Sequence, residues 1–185
     1  MKKSFFSVLS ALLASILMTT SALAGGSVKL GGSVRLSNES FSLGSLIARG
    51  TLTGLGRDDV TIVLEASGTA DIICTNPGSN DVPGHSSPKI SAVGHQGLPG
   101  NDPTRRNGRY LFTTETDDPE TITWQDGGCP NPNWTARMEF VYWTNATIYL
   151  YQGADPANLG ALIGSQNYVC QTTRYPASVS CTRAP

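Results

Sequence analysis

Apolar or small residues fall at every second position from Asp59 to Cys74, which reads DVTIVLEASGTADIIC. Val60, Ile62, Leu64, Ala66, Gly68, Ala70, Ile72 and Cys74 are apolar or small, whereas the positions between them are mostly polar. A two-residue period held that long describes extended chain with one buried face. At ~3.3 Å per residue the run would reach roughly 50 Å, long for one straight strand. The pattern therefore predicts a bulge or corner at Ser67-Gly68 that divides the run into two strands while keeping its facing.

The same period recurs along most of the chain. An extended run at 41–55, interrupted by Gly44, Gly50 and Gly54, leads through a turn at 56–59, and predicts a hairpin of 46–55 against 60–66. Residues 75–107 are dense in turn formers, with one short strand at 90–93. Strands follow at 109–115 and 121–124. Two more, 135–143 and 146–151, are joined as a hairpin across Thr144-Asn145. Strands at 168–173 and 178–182 end the chain. No segment holds a 3.6-residue period, and 156–162 predicts at most one helical turn. Eight to ten short antiparallel strands make an all-β fold, an immunoglobulin-like β-sandwich or an open barrel.

Alternation in the 134–151 segment puts Trp134, Ala136, Met138, Phe140 and Tyr142 on one face, and Thr135, Arg137, Glu139, Val141 and Trp143 on the other. With Ile148 and Leu150 turned to the core, Trp143, Tyr149 and Tyr151 stand together on the outside. Flat exposed aromatics stack on sugar rings or anchor a protein partner, so these three, with the 76–89 loop, are the candidate binding surface. Cross-strand packing that stiffens a sheet is the plainer role for the same rings.

The first residues have a different character. Met1-Lys2-Lys3 is a basic start, 5–18 is apolar, and Ala22-Leu23-Ala24 is a small-x-small cleavage site. This predicts a signal peptide over 1–24, cut between Ala24 and Gly25, and export to the medium or periplasm without a membrane anchor. The GGSVKL/GGSVRL near-repeat over 25–36 is expected to lie in a flexible N-terminal arm, 25–40, ahead of one domain at 41–185. The alternative role for such an arm is a strand added to a neighbour's sheet edge. Without the leader the chain holds 11 Lys and Arg against 14 Asp and Glu, a charge near −3, which disfavours nucleic-acid binding. All 20 Gly and 11 Pro follow residue 24, a density that suits turns.

Four cysteines in an exported chain read as two disulfides. Of the three possible pairings, Cys170–Cys181 is favoured by closeness in sequence and by Tyr175-Pro176 between them, and Cys74–Cys129 follows by exclusion. No CxxC spacing favours zinc, and no metal or other cofactor is expected. His85 and His95, each beside a glycine, are read as solvated loop residues. No GxSxG elbow marks a nucleophile, and no catalytic residue is assigned. Asp117, Asp118 and Glu120 would offer oxygens to Ca²⁺, but at spacing unlike an EF-hand loop. A glycosidase pair could be drawn only by choosing among Glu65, Glu115, Glu120 and Glu139. Three N-x-S/T sequons, at Asn38, Asn133 and Asn145, are read as chance in a chain whose leader looks bacterial.

Two segments carry a resemblance: 67–78 with Val82-Pro83-Gly84, and 129–136 with 144–152, including CTNPG and CPNPNWTA. They resemble a group of uncharacterised small secreted bacterial β-rich proteins. The resemblance implies export, a β-rich fold and cysteines in those two loops, and it implies no activity. The expected function is a secreted binding or structural module for a glycan or protein partner. A small secreted hydrolase of polysaccharide or peptide, using His85, His95 or a carboxylate pair, is the alternative.

Overall fold

The computed structural model describes residues 26–43 and 45–185; the expected signal peptide at 1–24 lies outside them. Ten strands follow in order: β1 (Ser27–Gly31), β2 (Val34–Ser42), β3 (Ile47–Thr53), β4 (Val60–Thr75), β5 (Asp81–Pro83), β6 (Lys89–Leu98), β7 (Arg109–Glu115), β8 (Thr135–Gln152), β9 (Leu162–Thr173) and β10 (Ser178–Arg183). All pairings are antiparallel. One sheet has the order β1-β2-β3-β7; the other runs β10-β9-β8-β4, and β4 then pairs with both β5 and β6. The fold is all-β, a two-sheet sandwich whose sheets do not close into a barrel, with no helix among the described residues.

The alternation at 59–74 has the predicted effect on facing. Every even residue of β4 from Val60 to Cys74 is buried against the first sheet, where Leu36, Ala48, Leu52, Tyr110 and Phe112 meet it. The expected division at Ser67-Gly68 does not occur, and β4 runs unbroken to Thr75. Its partner β8 absorbs the irregularity instead. Ser67 pairs with Asn145 and Gly68 with Trp143, which leaves Thr144 as an extra residue. Asp71 pairs with Phe140 and Ile72 with Met138, which leaves Glu139 as another. Each bulge bends the ladder without ending it.

Two expected hairpins are corrected. Residues 135–151 form one long strand, with Asn145 paired to Ser67 inside the ladder. Thr144-Asn145 lacks the glycine of a tight hairpin turn, and neither residue adopts the positive φ such a turn needs. β3 pairs with β2 and β7, and the 54–59 connection crosses to the opposite sheet. Both arrangements bury the same alternate residues, so the period does not choose between them. The expected strand at 121–124 is irregular chain, while the one expected at 90–93 extends over Lys89–Leu98. From Ser27 the expected arm is a β1–β2 hairpin in which Leu36 is fully buried.

Cys74 is bonded to Cys129 and Cys170 to Cys181, with no free cysteine among the described residues. The first bond ties β4 to the 124–134 loop, and the second crosses the β9–β10 pair. Two disulfides fit an oxidising environment, extracellular or periplasmic. No helix of the described residues is long and apolar enough to cross a membrane.

Candidate binding face on the second sheet

The two bulges of β8 decide which of its rings meet solvent. Beyond Thr144, alternation keeps Ile148 and Leu150 in the core and Tyr149 and Tyr151 half-exposed on the outer face. The extra residue at Thr144 then exchanges the two faces. Trp143, expected outside, is 1% exposed and packs in the core. Phe140 and Tyr142, which straight alternation puts on the opposite face from Tyr149, come out beside it. The bulge at Glu139 exchanges the faces again, so Ala136 and Met138 return inward. Phe140, Tyr142, Tyr149 and Tyr151 therefore share one outward line, about 35 Å long at ~3.3 Å per residue.

The rings stand as two pairs. Tyr149 and Tyr151 have centroids 6.2 Å apart, tilted by 32°. Burial, and then the neighbouring Glu65 carboxylate, hold the Tyr149 phenol above its ordinary value. Phe140 and Tyr142 meet edge-to-face at 4.9 Å. Tyr142 donates to Asp71 Oδ2 at 2.9 Å, and that bond raises the phenol. Arg174, from the β9–β10 turn, locks this end. Its guanidinium donates to Asp71 at 3.1 Å and to Glu139 at 2.7 Å, and lies 5.8 Å from the Phe140 centroid and 5.5 Å from that of Tyr175, which is 84% exposed. Between the pairs is an open groove of about 360 Å³, floored by Ala66, Ala92 and Ala146 and edged by Glu65, Ser67, Ser91, Asn145 and Thr147. Thr147 donates to Asn167 Oδ1 at 3.0 Å.

The 76–89 loop lies toward the Phe140 end. β5 pairs with Ile73–Thr75, whereas Tyr149 and Tyr151 face Val63 and Thr61, roughly 30 Å away along β4. The loop and the tyrosines are thus not brought together. Asp81 in this loop is held below the ordinary carboxylate range by Thr75 and Arg137, the latter at 2.7 Å.

Comparison with family models, curated proteins and solved structures finds no match.

The residues weighed for catalysis are dispersed. His95 sits in β6, not in a loop, on the same face as Glu65, opposite Val63. No ion pair joins His95 to a carboxylate among the described residues. His85 is exposed beside the 126–128 turn, where Ser86 donates to the Asp126 carbonyl. Glu65 stands opposite Thr147, which is roughly 25 Å along β8 from Glu139, beyond the reach of a glycosidase pair. Glu115 ends β7 in the other sheet, and Glu120 lies in the loop after it. Asp117, Asp118 and Glu120 do not gather, and no metal-holding group of three such side chains occurs among the described residues. A cavity of about 850 Å³ lies at the end of the sandwich between the 56–59 and 99–108 turns. Its polar groups hold those turns: Asp59 accepts from the Gly100 amide at 2.5 Å, and both terminal nitrogens of Arg105 donate to the Asp58 carbonyl at 3.1 Å.

Sequence reasoning missed Phe140 and Tyr142 because a bulge changes the facing by one residue while the alternation on either side of it stays regular. Polar, non-glycine Thr144-Asn145 inside an aromatic run was the available signal.

Proposed function

We propose that this is an exported binding module whose β8 face recognises an extended, uncharged polysaccharide chain. The observation that supports this reading is the shared outward line of Phe140, Tyr142, Tyr149 and Tyr151. Rings standing in line along a rigid strand offer apolar faces to successive sugar rings, and their geometry is set before the ligand arrives. The groove between the two pairs supplies amide, hydroxyl and carboxylate groups for sugar hydroxyls. The leader at 1–24 fits such a role, since it would deliver the protein to where structural polysaccharides lie.

The test is affinity gel electrophoresis of the mature protein against a panel of neutral polysaccharides, with Y149A/Y151A and F140A/Y142A variants. At least one polysaccharide should retard the parent protein, and each double variant should lose most of that retardation. Retardation that survives in both variants, or a panel that retards nothing, would contradict the proposal.

A further inference from the structure

The outer face of the first sheet differs in chemistry from the face just described. The registers place Lys29, Arg35, Thr53 and Arg109 in one row across its four strands. Arg49 stands four residues along β3 from Thr53, and opposite Thr113. With strands ~4.8 Å apart and ~3.3 Å per residue, the four cations arise from a patch of roughly 15 by 13 Å. All four are exposed. None forms an ion pair among the described residues, and their one side-chain hydrogen bond runs from Arg49 to Ser42 Oγ at 3.2 Å. By contrast Arg137, Arg174 and Arg183 are all paired with carboxylates. Glu115, at the far end of β7, is the one acidic side chain in the paired rows of this face. A protein of net negative charge thus leaves four cations together and unneutralised on one flat side.

We infer that this face binds a linear acidic polysaccharide through its carboxylates. Guanidinium forks match planar carboxylates two bonds at a time, and three of the four cations are arginines. A flat sheet admits an extended polymer with charges at regular intervals. Leu111, 70% exposed between Arg109 and Thr113, offers an apolar contact for a sugar ring. No aromatic ring stands in the paired rows of this face, which removes the stacking that single-stranded nucleic acid uses. One leucine is too little apolar area to anchor the face in a lipid interface. The site is independent of the β8 rings, which lie on the opposite side of the sandwich.

Isothermal titration of the mature protein with polygalacturonate, at several salt concentrations, tests the inference. Affinity should fall as salt rises. R35A/R109A should weaken binding roughly tenfold or more at low salt, and R35K/R109K should retain part of it. R137A and Y149A/Y151A should bind as the parent does, which separates this face from the one proposed above. Three results would overturn the inference: no binding of polygalacturonate, equal binding by R35A/R109A, or a loss in R35A/R109A confined to duplex DNA or to phosphatidylglycerol vesicles run in parallel.

Discussion

Gly68 stands opposite Trp143 across the β4–β8 ladder, and a side-chain carbon at Gly68 would lie 2.1 Å from the Tyr142 carbonyl oxygen and 3.0 Å from the Trp143 Cα. The bulge at Thr144 brings the β8 backbone over β4 at this point, and only a residue without Cβ leaves room for it. The outward placement of Tyr142 and the inward placement of Trp143 both rest on this approach.

Gly68→Ala therefore has to push one long strand off the other. We predict a loss of about 3 kcal/mol or more, since the obstacle is backbone and has no rotamer to escape into. Urea unfolding followed by circular dichroism measures it, and a change under about 1 kcal/mol would mean the strands are not this close.

Trp143 is buried, and its indole N–H finds no acceptor among the described residues. Phenylalanine would lose some packing but also remove that unsatisfied donor, so Trp143→Phe should cost no more than about 1.5 kcal/mol. Trp143→Ala, which leaves a cavity, should cost about 3–5 kcal/mol. Near-equal costs for the two variants would show that the N–H is in fact bonded.

Glu39 is 1% exposed, yet it carries a charge-bearing side chain into the seam between the sheets. Asn38 adopts φ 56° at a bulge in β2, and this extra residue turns Glu39 inward. There it accepts from Tyr168 Oη at 2.8 Å and from the Arg183 guanidinium, with both carboxylate oxygens 2.7 Å from Nη2. Removing one member strands the other, so Glu39→Ala should cost about 3–5 kcal/mol.

Burial, and then the Glu39 charge, push the Tyr168 phenol far above its ordinary value. Above pH ~10 the unfolded chain releases this proton while the folded chain keeps it. Stability is therefore complete below that pH and falls above it, by up to ~1.4 kcal/mol per pH unit for this one group. Tyr168→Phe should flatten the alkaline decline in unfolding free energy. Tyr110, Tyr142 and Tyr149 are displaced the same way, so the decline becomes shallower without vanishing. An unchanged slope in Tyr168→Phe would contradict the buried contact.

The two disulfides close loops of different size, with sequence separations of 55 for Cys74–Cys129 and 11 for Cys170–Cys181. On the chain-entropy relation the longer loop contributes about 4 kcal/mol and the shorter about 3. Paired Cys→Ala replacements, compared by urea unfolding, should rank in that order. The reverse order would indicate that local packing, not loop length, governs the effect.

Facing was legible in the sequence wherever a strand is regular. The β4 alternation gave its core residues directly, and the Tyr149–Tyr151 side of β8 followed from Ile148 and Leu150. Pairing was less legible, because β3 buries the same residues whether it joins β4 or the other sheet. Bulges were not legible: an extra residue at Glu139 or Thr144 exchanges faces for everything beyond it, which misplaced Trp143, Phe140 and Tyr142 together. The basic row of the first sheet was hidden for another reason. Lys29, Arg35, Arg49 and Arg109 span eighty residues of sequence and share a face only through strand order, while the net charge of the chain points the other way.

The most direct test of the account is an NMR titration of ring-labelled Phe and Tyr in the chain from Gly25 to Pro185, using a soluble oligosaccharide of whichever polysaccharide retards it. Phe140, Tyr142, Tyr149 and Tyr151 should shift together, with Tyr110 and Tyr168 of the core unmoved. If binding proceeds while those four resonances stay still, β8 is not the recognition surface.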